Sequence, residues 1–238
     1  MESNRWWEFY FIRYFVGSVL GSLVVMALAF HPESSLSHVI SNLFDFDDAS
    51  LLKLKSDHFW VILGFGVAFC YIASAPILVM HVLRAHINFR NNADMSLGAW
   101  GLRLIIFLVS VGIVLKIHWG DYLRIVFFIG YALVVTFQLA LLVPAIFRKF
   151  DRVFLFYKKL ANDRAKDEKT RKEFVESYRH LREHGNAFLI IFCELILGCA
   201  LFVSGSLSEA IIVIMIWLGP TLPVWFIGSS LETKIEDV

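Results

Sequence analysis

Six long apolar blocks, separated by polar segments, dominate the hydrophobic pattern of this chain. They run over Phe9–Phe30, Phe59–Leu83, Leu102–Ile117, Leu123–Phe147, Ala187–Val203 and Ala210–Gly228. A helix needs about 20 mostly apolar residues to cross the hydrocarbon core of a bilayer, so each block predicts a membrane span. The third and fifth blocks are short, but flanking residues such as Arg103 and Lys116 can lengthen a span by snorkelling. We predict six spans; the alternative is four, with the two short blocks re-entrant or interfacial.

The polar segment after the first block contains a short helical pattern. Apolar residues recur there at the spacing of one helix face, namely Leu36, Val39, Ile40, Leu43 and Phe44. Ser34 and Ser35 precede the pattern and are suitable N-cap residues. Such a stretch is typical of a helix that lies on the membrane interface. The sequence therefore predicts an external amphipathic helix near residues 34–46.

Residues 148–186 form a long polar segment with two further helical patterns. Tyr157 belongs to the first pattern, which continues the fourth block, and Phe174 belongs to the second, which follows a polar turn. The segment therefore predicts a charged αα-hairpin between the fourth and fifth spans. It divides the chain into residues 1–147 with four spans, the hairpin, and residues 187–238 with two spans and a short tail.

The composition supports a membrane protein and narrows the chemistry. The chain is 58% hydrophobic and 18% charged, whereas soluble domains are about 45–50% apolar and about 25% charged. Its net charge of +1 provides no overall field that would attract nucleic acid. Cys70, Cys193 and Cys199 lie inside apolar blocks without disulfide or metal-ligand spacing, so we interpret them as packing residues. No cofactor is expected.

Lys and Arg are distributed unevenly over the polar segments. If the N-terminus is cytoplasmic, the outer segments contain only Lys53, Lys55, Lys116 and Arg124. Because positive residues concentrate on the cytoplasmic side, and because six is an even number, both termini are predicted in the cytoplasm. We expect a multi-pass protein of the bacterial inner membrane. The stretch 27–29 resembles a signal-peptide cleavage site, but the long aromatic segment before the first block favours an uncleaved span.

Glu194 is an acidic residue in the middle of the fifth span. It lies about seven residues inside the predicted span, roughly 10 Å from its cytoplasmic end. A carboxyl group at that depth must be neutral, paired or in contact with water. Residues predicted to share a polar layer with it are Arg13, Gln138, His81 and Arg103. The layer would line an ion or proton path or a gate; the alternative is a buried polar contact that fixes helix register.

Small residues and prolines mark places where spans approach one another or break. Gly17 and Gly21 form a small-xxx-small face in the first span, which permits close helix packing within the chain or between subunits. The sixth span contains Gly219-Pro-Thr-Leu-Pro223, and Pro76 and Pro144 lie in the second and fourth spans. Proline kinks a helix and frees a backbone carbonyl. Such breaks occur at transporter sites and also serve packing.

The hairpin carries the basic residues that could bind a cytosolic partner. The candidate docking residues are Lys158, Lys159, Arg171, Lys172, Arg179 and Arg182. The alternative is a solvated helix pair that sets topology and contacts anionic lipid. His180, Glu183 and His184 match the H-x-x-E-H spelling of some zinc peptidases, but they lie on a short charged hairpin without an obvious third ligand. We therefore predict neither a metal site nor an enzyme.

In its architecture the whole chain resembles the small polytopic inner-membrane components of bacterial antiphage defence systems, such as Kiwa-type, retron and cyclic-nucleotide systems. The shared features are a short aromatic-rich N-terminal span, the lack of a transporter signature and a charged cytoplasmic hairpin. The resemblance implies a homo-oligomeric sensor or membrane-perturbing effector that works with a cytosolic partner. We thus expect a non-enzymatic, channel-like membrane protein. The alternatives are a scaffold that anchors a cytosolic protein and a proton-coupled carrier of a small solute.

Overall fold

The computed structural model describes residues 15–43, 56–83, 122–147, 150–164 and 187–236, with a few positions between 105 and 112. Every regular element in these residues is a helix. The helices are α1 (Gly17–Phe30), α2 (Ser37–Leu43), α3 (Ser56–Ala73), α4 (Ala75–Val82), α5 (Tyr122–Phe147), α6 (Phe150–Arg164), α7 (Ala187–Phe202), α8 (Leu207–Leu218) and α9 (Thr221–Glu236). The predicted all-α class is confirmed for this part of the chain.

Three helical stretches are long and apolar enough to cross a membrane. They are His58–Val82, Tyr122–Val143 and Leu207–Ser230. Gly17–Phe30 and Leu189–Phe202 are apolar but shorter. The prediction of a membrane protein is thereby supported, whereas the number of crossings and the side of each terminus stay predictions. The third predicted span, 102–117, and the start of the first lie largely outside the described residues.

The helix α1 packs between α3 and α7 and runs antiparallel to α3. Gly17 lies beside Cys70, whereas Gly21 lies against Gly66, which comes earlier in α3. The helix α7 runs in the same direction as α1, since Glu194 is beside Gly17 and Gly198 lies against Val24. These three helices form a compact group on one side of the bundle.

The three long stretches run parallel to one another. The end of α4 and the end of α5 share one buried cluster, which contains Val82 and Ala145. In α5 and α8, the Tyr131 hydroxyl donates to the Val213 carbonyl at 2.7 Å. Because α4 and α5 end at the same end of the bundle, α5 begins at the opposite end.

Two buried clusters fill the bundle at different depths. The larger contains Phe69, Tyr131, Leu197 and Trp217 and joins α3, α5, α7 and α8. The smaller lies where α6 packs against the last turns of α4 and α5 and the first turns of α9. There the single proton of the Tyr157 hydroxyl is shared between the carbonyls of His81 and Val82, at oxygen–oxygen distances of 2.6 and 3.0 Å. These bonds satisfy carbonyls that the end of α4 would leave without a helical donor.

The segment predicted as an external helix packs against the opposite end of the bundle. The helix α2 lies within the predicted range, and the residues that follow Leu43 lie outside the described residues. Leu36 is buried in the larger cluster. The hydroxyl of Ser34 donates to the Leu28 carbonyl at 2.8 Å, and that of Ser35 donates to the Ser204 carbonyl. The two serines thus fasten this segment to the ends of α1 and α7.

Candidate functional site

Glu194 lies at the junction of α1, α3 and α7 and is fully buried. The absence of a side chain at Gly17 makes room for it. A Cβ atom at Gly17 would lie 2.7 Å from the Cys70 sulfur and 3.5 Å from Glu194 Oε1. The thiol therefore occupies the space beside Gly17, with the carboxyl group in van der Waals range, and a larger residue there would displace the thiol.

Close glycine contacts hold α1 against α3 next to this site. A Cβ atom at Gly21 would overlap the Gly66 carbonyl oxygen, and a Cβ atom at Gly66 would lie 2.5 Å from the Ser22 nitrogen. The Ser22 hydroxyl donates to the Ser18 carbonyl within α1 at 2.7 Å. The small-residue face of α1 thus packs on α3 of the same chain, with backbone in contact with backbone. In this arrangement the junction around Glu194 is closed.

The carboxyl group of Glu194 is poorly compensated by the residues around it. Neither of its oxygens has a hydrogen-bond partner in the described part of the chain. The Cys70 thiol lies beside it, but a thiol is only a weak donor. Arg13 and Arg103, the basic members of the predicted polar layer, lie outside the described residues. An ionised carboxyl group is costly at this depth, so the site is suited to bind a proton or a cation.

Gln138 is the second fully buried polar residue of the predicted layer. Its Nε2 donates to the Trp217 carbonyl at a long 3.5 Å, and its Oε1 has no partner among the described residues. His81 is half-buried in the last turn of α4. Glu194 and Gln138 thus contact different neighbours, the first on the α1 and α3 side and the second on the α8 side.

Trp217 was not predicted from the sequence. It links the surroundings of Gln138 with the part of α3 that lies beside Glu194. Its Nε1 donates to the Ile72 carbonyl at 3.1 Å. Ile72 is two residues from Cys70, which is about 3 Å along a helix axis. Pro76 has no N–H, so it cannot donate to the carbonyl four residues earlier, which is that of Ile72. Trp217 therefore supplies the hydrogen bond to the Ile72 carbonyl that Pro76 cannot supply. In the sequence, a proline inside an apolar block was the signal that this carbonyl needs another donor.

Aromatic stacking and one further hydrogen bond fix the position of Trp217. Its ring stacks on Tyr131, with centroids 5.5 Å apart and an interplanar angle of 23°. The Tyr131 hydroxyl bonds the Val213 carbonyl, one turn before Trp217 in α8. Trp217 is fully buried. The interruption between α3 and α4 at Ser74 thus has a fixed contact from α8, next to the layer that contains Glu194.

The predicted docking residues are only partly described. Lys158 is half-buried and Lys159 is exposed on α6. Arg171, Lys172, Arg179 and Arg182 lie outside the described residues, as does the H-x-x-E-H stretch. Within the described ranges, no group of three His, Cys, Asp or Glu residues could hold a metal ion. No family model, curated protein or solved structure matches this chain.

Proposed function

We propose that this chain is a channel-like membrane protein in which Glu194 is the ion-binding carboxyl group of a gated path. The observation that supports this proposal is the full burial of Glu194 with only the weakly donating Cys70 thiol beside its carboxyl group in the described part of the chain. A carboxyl group that only fixed helix register would be expected to have a polar partner. One that exchanges a proton or a cation must be able to exist without one.

The close packing around Glu194 is consistent with a closed state. Gly17, Gly21 and Gly66 bring the α1 and α3 backbones together beside the carboxyl group. Separation of α1 from α3 would expose Glu194, which could then release a proton or bind a cation. The interruption between α3 and α4, which Trp217 contacts, is a second place at which the helices could rearrange.

The proposal extends to the setting of the protein. We place it in the bacterial inner membrane as a homo-oligomer with an even number of spans, both termini in the cytoplasm and no enzymatic activity. A role in phage defence follows from the architectural resemblance. It is tested by expressing the chain, with its neighbouring genes, in a sensitive strain and counting phage plaques. Unchanged plaque numbers would argue against a role in phage defence. They would not bear on the ion path, which is tested separately by ion flux.

Ion flux from liposomes that contain the purified chain tests the ion path. Glu194→Gln keeps the size of the side chain but removes its charge and its exchangeable proton. Glu209→Gln is the matched control: Glu209 lies in the first turn of α8, and its Oε2 accepts from the Gly205 N–H at 2.7 Å, a bond that glutamine can also accept. We expect flux in the unmodified chain and in the control, and a strong reduction in Glu194→Gln. Equal flux in all three would exclude Glu194 from the path.

A membrane scaffold is the alternative, and the packing of α6 favours it. Tyr157 fixes α6 to the end of α4, while Lys159 on the same helix is exposed. A scaffold predicts tight vesicles for the unmodified chain, and loss of a co-purified cytosolic protein when Lys158 and Lys159 are replaced by Glu. A proton-coupled carrier would instead show saturable solute uptake that depends on a pH gradient.

A further inference from the structure

Exposed aromatic side chains lie near both ends of the long helical stretches. Phe59 and Trp60 are exposed near the start of α3, and Tyr122 is exposed at the start of α5. Trp225 and Phe226 are exposed in the first two turns of α9. Trp and Tyr concentrate where a membrane meets water, because each has a large apolar ring and one polar group. These residues therefore indicate where the two faces of a bilayer could lie on the molecule.

The contact of Trp217 with Ile72 relates the depths of Trp60 and Trp225. The Trp217 indole donates to the Ile72 carbonyl at 3.1 Å, so the two residues lie at a similar depth in stretches that run parallel. Trp60 precedes Ile72 by twelve residues, which is about 18 Å toward the end of the bundle that contains α2. Trp225 follows Trp217 by eight residues, which is about 12 Å toward the end that contains α6. Trp60 and Trp225 are thus about 30 Å apart in depth.

A second contact supports this alignment of the two stretches. Val224 and Val79 belong to the same buried cluster. Val224 follows Trp217 by seven residues, and Val79 follows Ile72 by seven residues. The two stretches therefore stay level with each other beyond Trp217, across the boundary between α8 and α9.

Tyr122 lies at nearly the same level as Trp60, although the two residues are on different helices. The Tyr131 ring stacks on that of Trp217. Tyr122 precedes Tyr131 by nine residues, which is about 13.5 Å toward the α2 end. The depths of Tyr122 and Trp60 thus differ by about one helical turn or less.

The exposed residues of α8 and α9 change between polar and apolar near these same levels. Ser208 is exposed and precedes Trp217 by about 13.5 Å, within one helical turn of the level of Trp60. Ser230 is exposed about 7.5 Å beyond Trp225. The exposed residues between Ser208 and Ser230 are all apolar or aromatic: Ile211, Ile212, Met215, Ile216, Gly219, Leu222, Trp225 and Phe226. This stripe is therefore suited to contact lipid acyl chains.

We propose that the levels of Trp60 and Trp225 are the two faces of the bilayer's hydrocarbon core, and that Glu194 lies at its midplane. The hydrocarbon core of a typical bilayer is about 30 Å thick, which matches the separation of the two tryptophans. Cys70 follows Trp60 by ten residues, about 15 Å along α3. A Cβ atom at Gly17 would meet both the Cys70 sulfur and Glu194 Oε1, so the carboxyl group lies at the depth of Cys70.

The midplane position has a consequence for the ion path, and this consequence rests on the proposed function. A proton or cation must pass through about 15 Å of the bundle from either face to reach Glu194. Gly21 follows Gly17 by one helical turn and is in backbone contact with Gly66, so this contact lies about 6 Å from Glu194 toward the α2 end. The glycine contact therefore closes the route from the α2 end, and that route opens only when α1 and α3 separate.

Spin labels at four exposed positions test the two levels and the midplane. Trp60→Cys and Trp225→Cys place a label at each level, whereas Tyr71→Cys and Met215→Cys place a central label on each stretch near the depth of Cys70. In liposomes, collisions of a label with oxygen increase with depth, and collisions with a water-soluble nickel complex decrease. We expect the two central labels to be the deepest and equally deep. The unmodified chain is the control for labelling of the native cysteines.

Two results of this experiment would overturn the proposal. One is a label at Trp60→Cys or Trp225→Cys that lies deeper than the central labels, which would move the midplane away from Glu194. The other is an equal rate of collision with the nickel complex at all four positions, which would exclude lipid contact between the two levels.

A second measurement needs no substitution. The melting temperature of the unmodified chain in bilayers of increasing acyl-chain length should be highest where the hydrocarbon core is about 30 Å thick. A maximum at a clearly different thickness would also refute the levels. Neither measurement depends on conduction, so tight vesicles in the flux experiment would count against the ion path and leave the depth of Glu194 unchanged.

Discussion

At the scale of single residues, Glu194 offers a direct comparison between stability and function. A buried polar group without a partner costs about 1–3 kcal/mol, and neither Glu194 oxygen has one among the described residues. Methionine has a similar length and is apolar. We therefore expect Glu194→Met to raise the free energy of unfolding in detergent by about 1 kcal/mol or more, while it abolishes ion flux.

The control for this prediction is Glu209, whose carboxylate accepts a hydrogen bond. It accepts from the Gly205 N–H, and its side chain lies in the first turn of α8, where a negative charge is favourable. Glu209→Met should lower the free energy of unfolding. Both values come from denaturant titration of the purified proteins. A loss of stability in Glu194→Met as well would indicate that the carboxyl group has a charged partner in the folded protein.

At the scale of helices, Trp217 and Pro76 form a pair whose coupling can be measured. Trp217→Phe removes the donor to the Ile72 carbonyl and should cost about 1–3 kcal/mol, because that carbonyl is then left without a donor. In a Pro76→Ala background the new N–H of residue 76 can bond the same carbonyl, so the cost should be smaller. A double-mutant cycle of unfolding free energies measures the difference. An equal cost in both backgrounds would show that Trp217 acts through packing alone.

The contact between α1 and α3 supplies a second prediction with an internal control. A Cβ atom at Gly66 would collide with the α1 backbone, whereas one at Gly64, in the same helix, would meet nothing within 4 Å. Gly66→Ala should separate α1 from α3 and destabilise the protein. Gly64→Ala should be neutral or stabilise by about 0.5–1 kcal/mol, because alanine is the better helix former. Thermal unfolding of the two variants checks this. Similar melting temperatures would contradict the close packing.

Hydropathy and proline positions predict where the long helices lie in the sequence, but they do not predict which helices pack against each other. The apolar blocks locate α3–α4, α5 and α8–α9 because lipid requires long apolar helices. Gly17 and Gly21 predict a close approach, but the pattern does not say which helix approaches; Gly66 on α3 is the counterpart. Pro76 predicts a freed carbonyl, yet only the three-dimensional structure brings Trp217, far along the chain, to Ile72. Such long-range pairings are not encoded in local periodicity.

At the scale of the whole molecule, the helix directions and the distribution of charge lead to the same orientation. The end that contains α2 and the start of α8 includes Ser35 and Ser204 in contact, and the segments there are poor in Lys and Arg. The opposite end includes α6, with Lys158 and Lys159. The positive-inside rule therefore predicts that α6 faces the cytoplasm and the start of α8 faces the outside.

This orientation predicts the labelling of introduced cysteines in intact cells. Ser206 and Lys159 are both exposed and lie at opposite ends of the bundle. A membrane-impermeant maleimide should label Ser206→Cys in intact cells, but Lys159→Cys only after permeabilisation. The unmodified chain is the control, because Cys70 and Cys193 are buried and Cys199 is half-buried within α7. Labelling of both positions from the same side would refute the prediction that the bundle crosses the membrane. The reverse pattern would place α6 outside the cytoplasm and exclude it as a docking surface for a cytosolic partner.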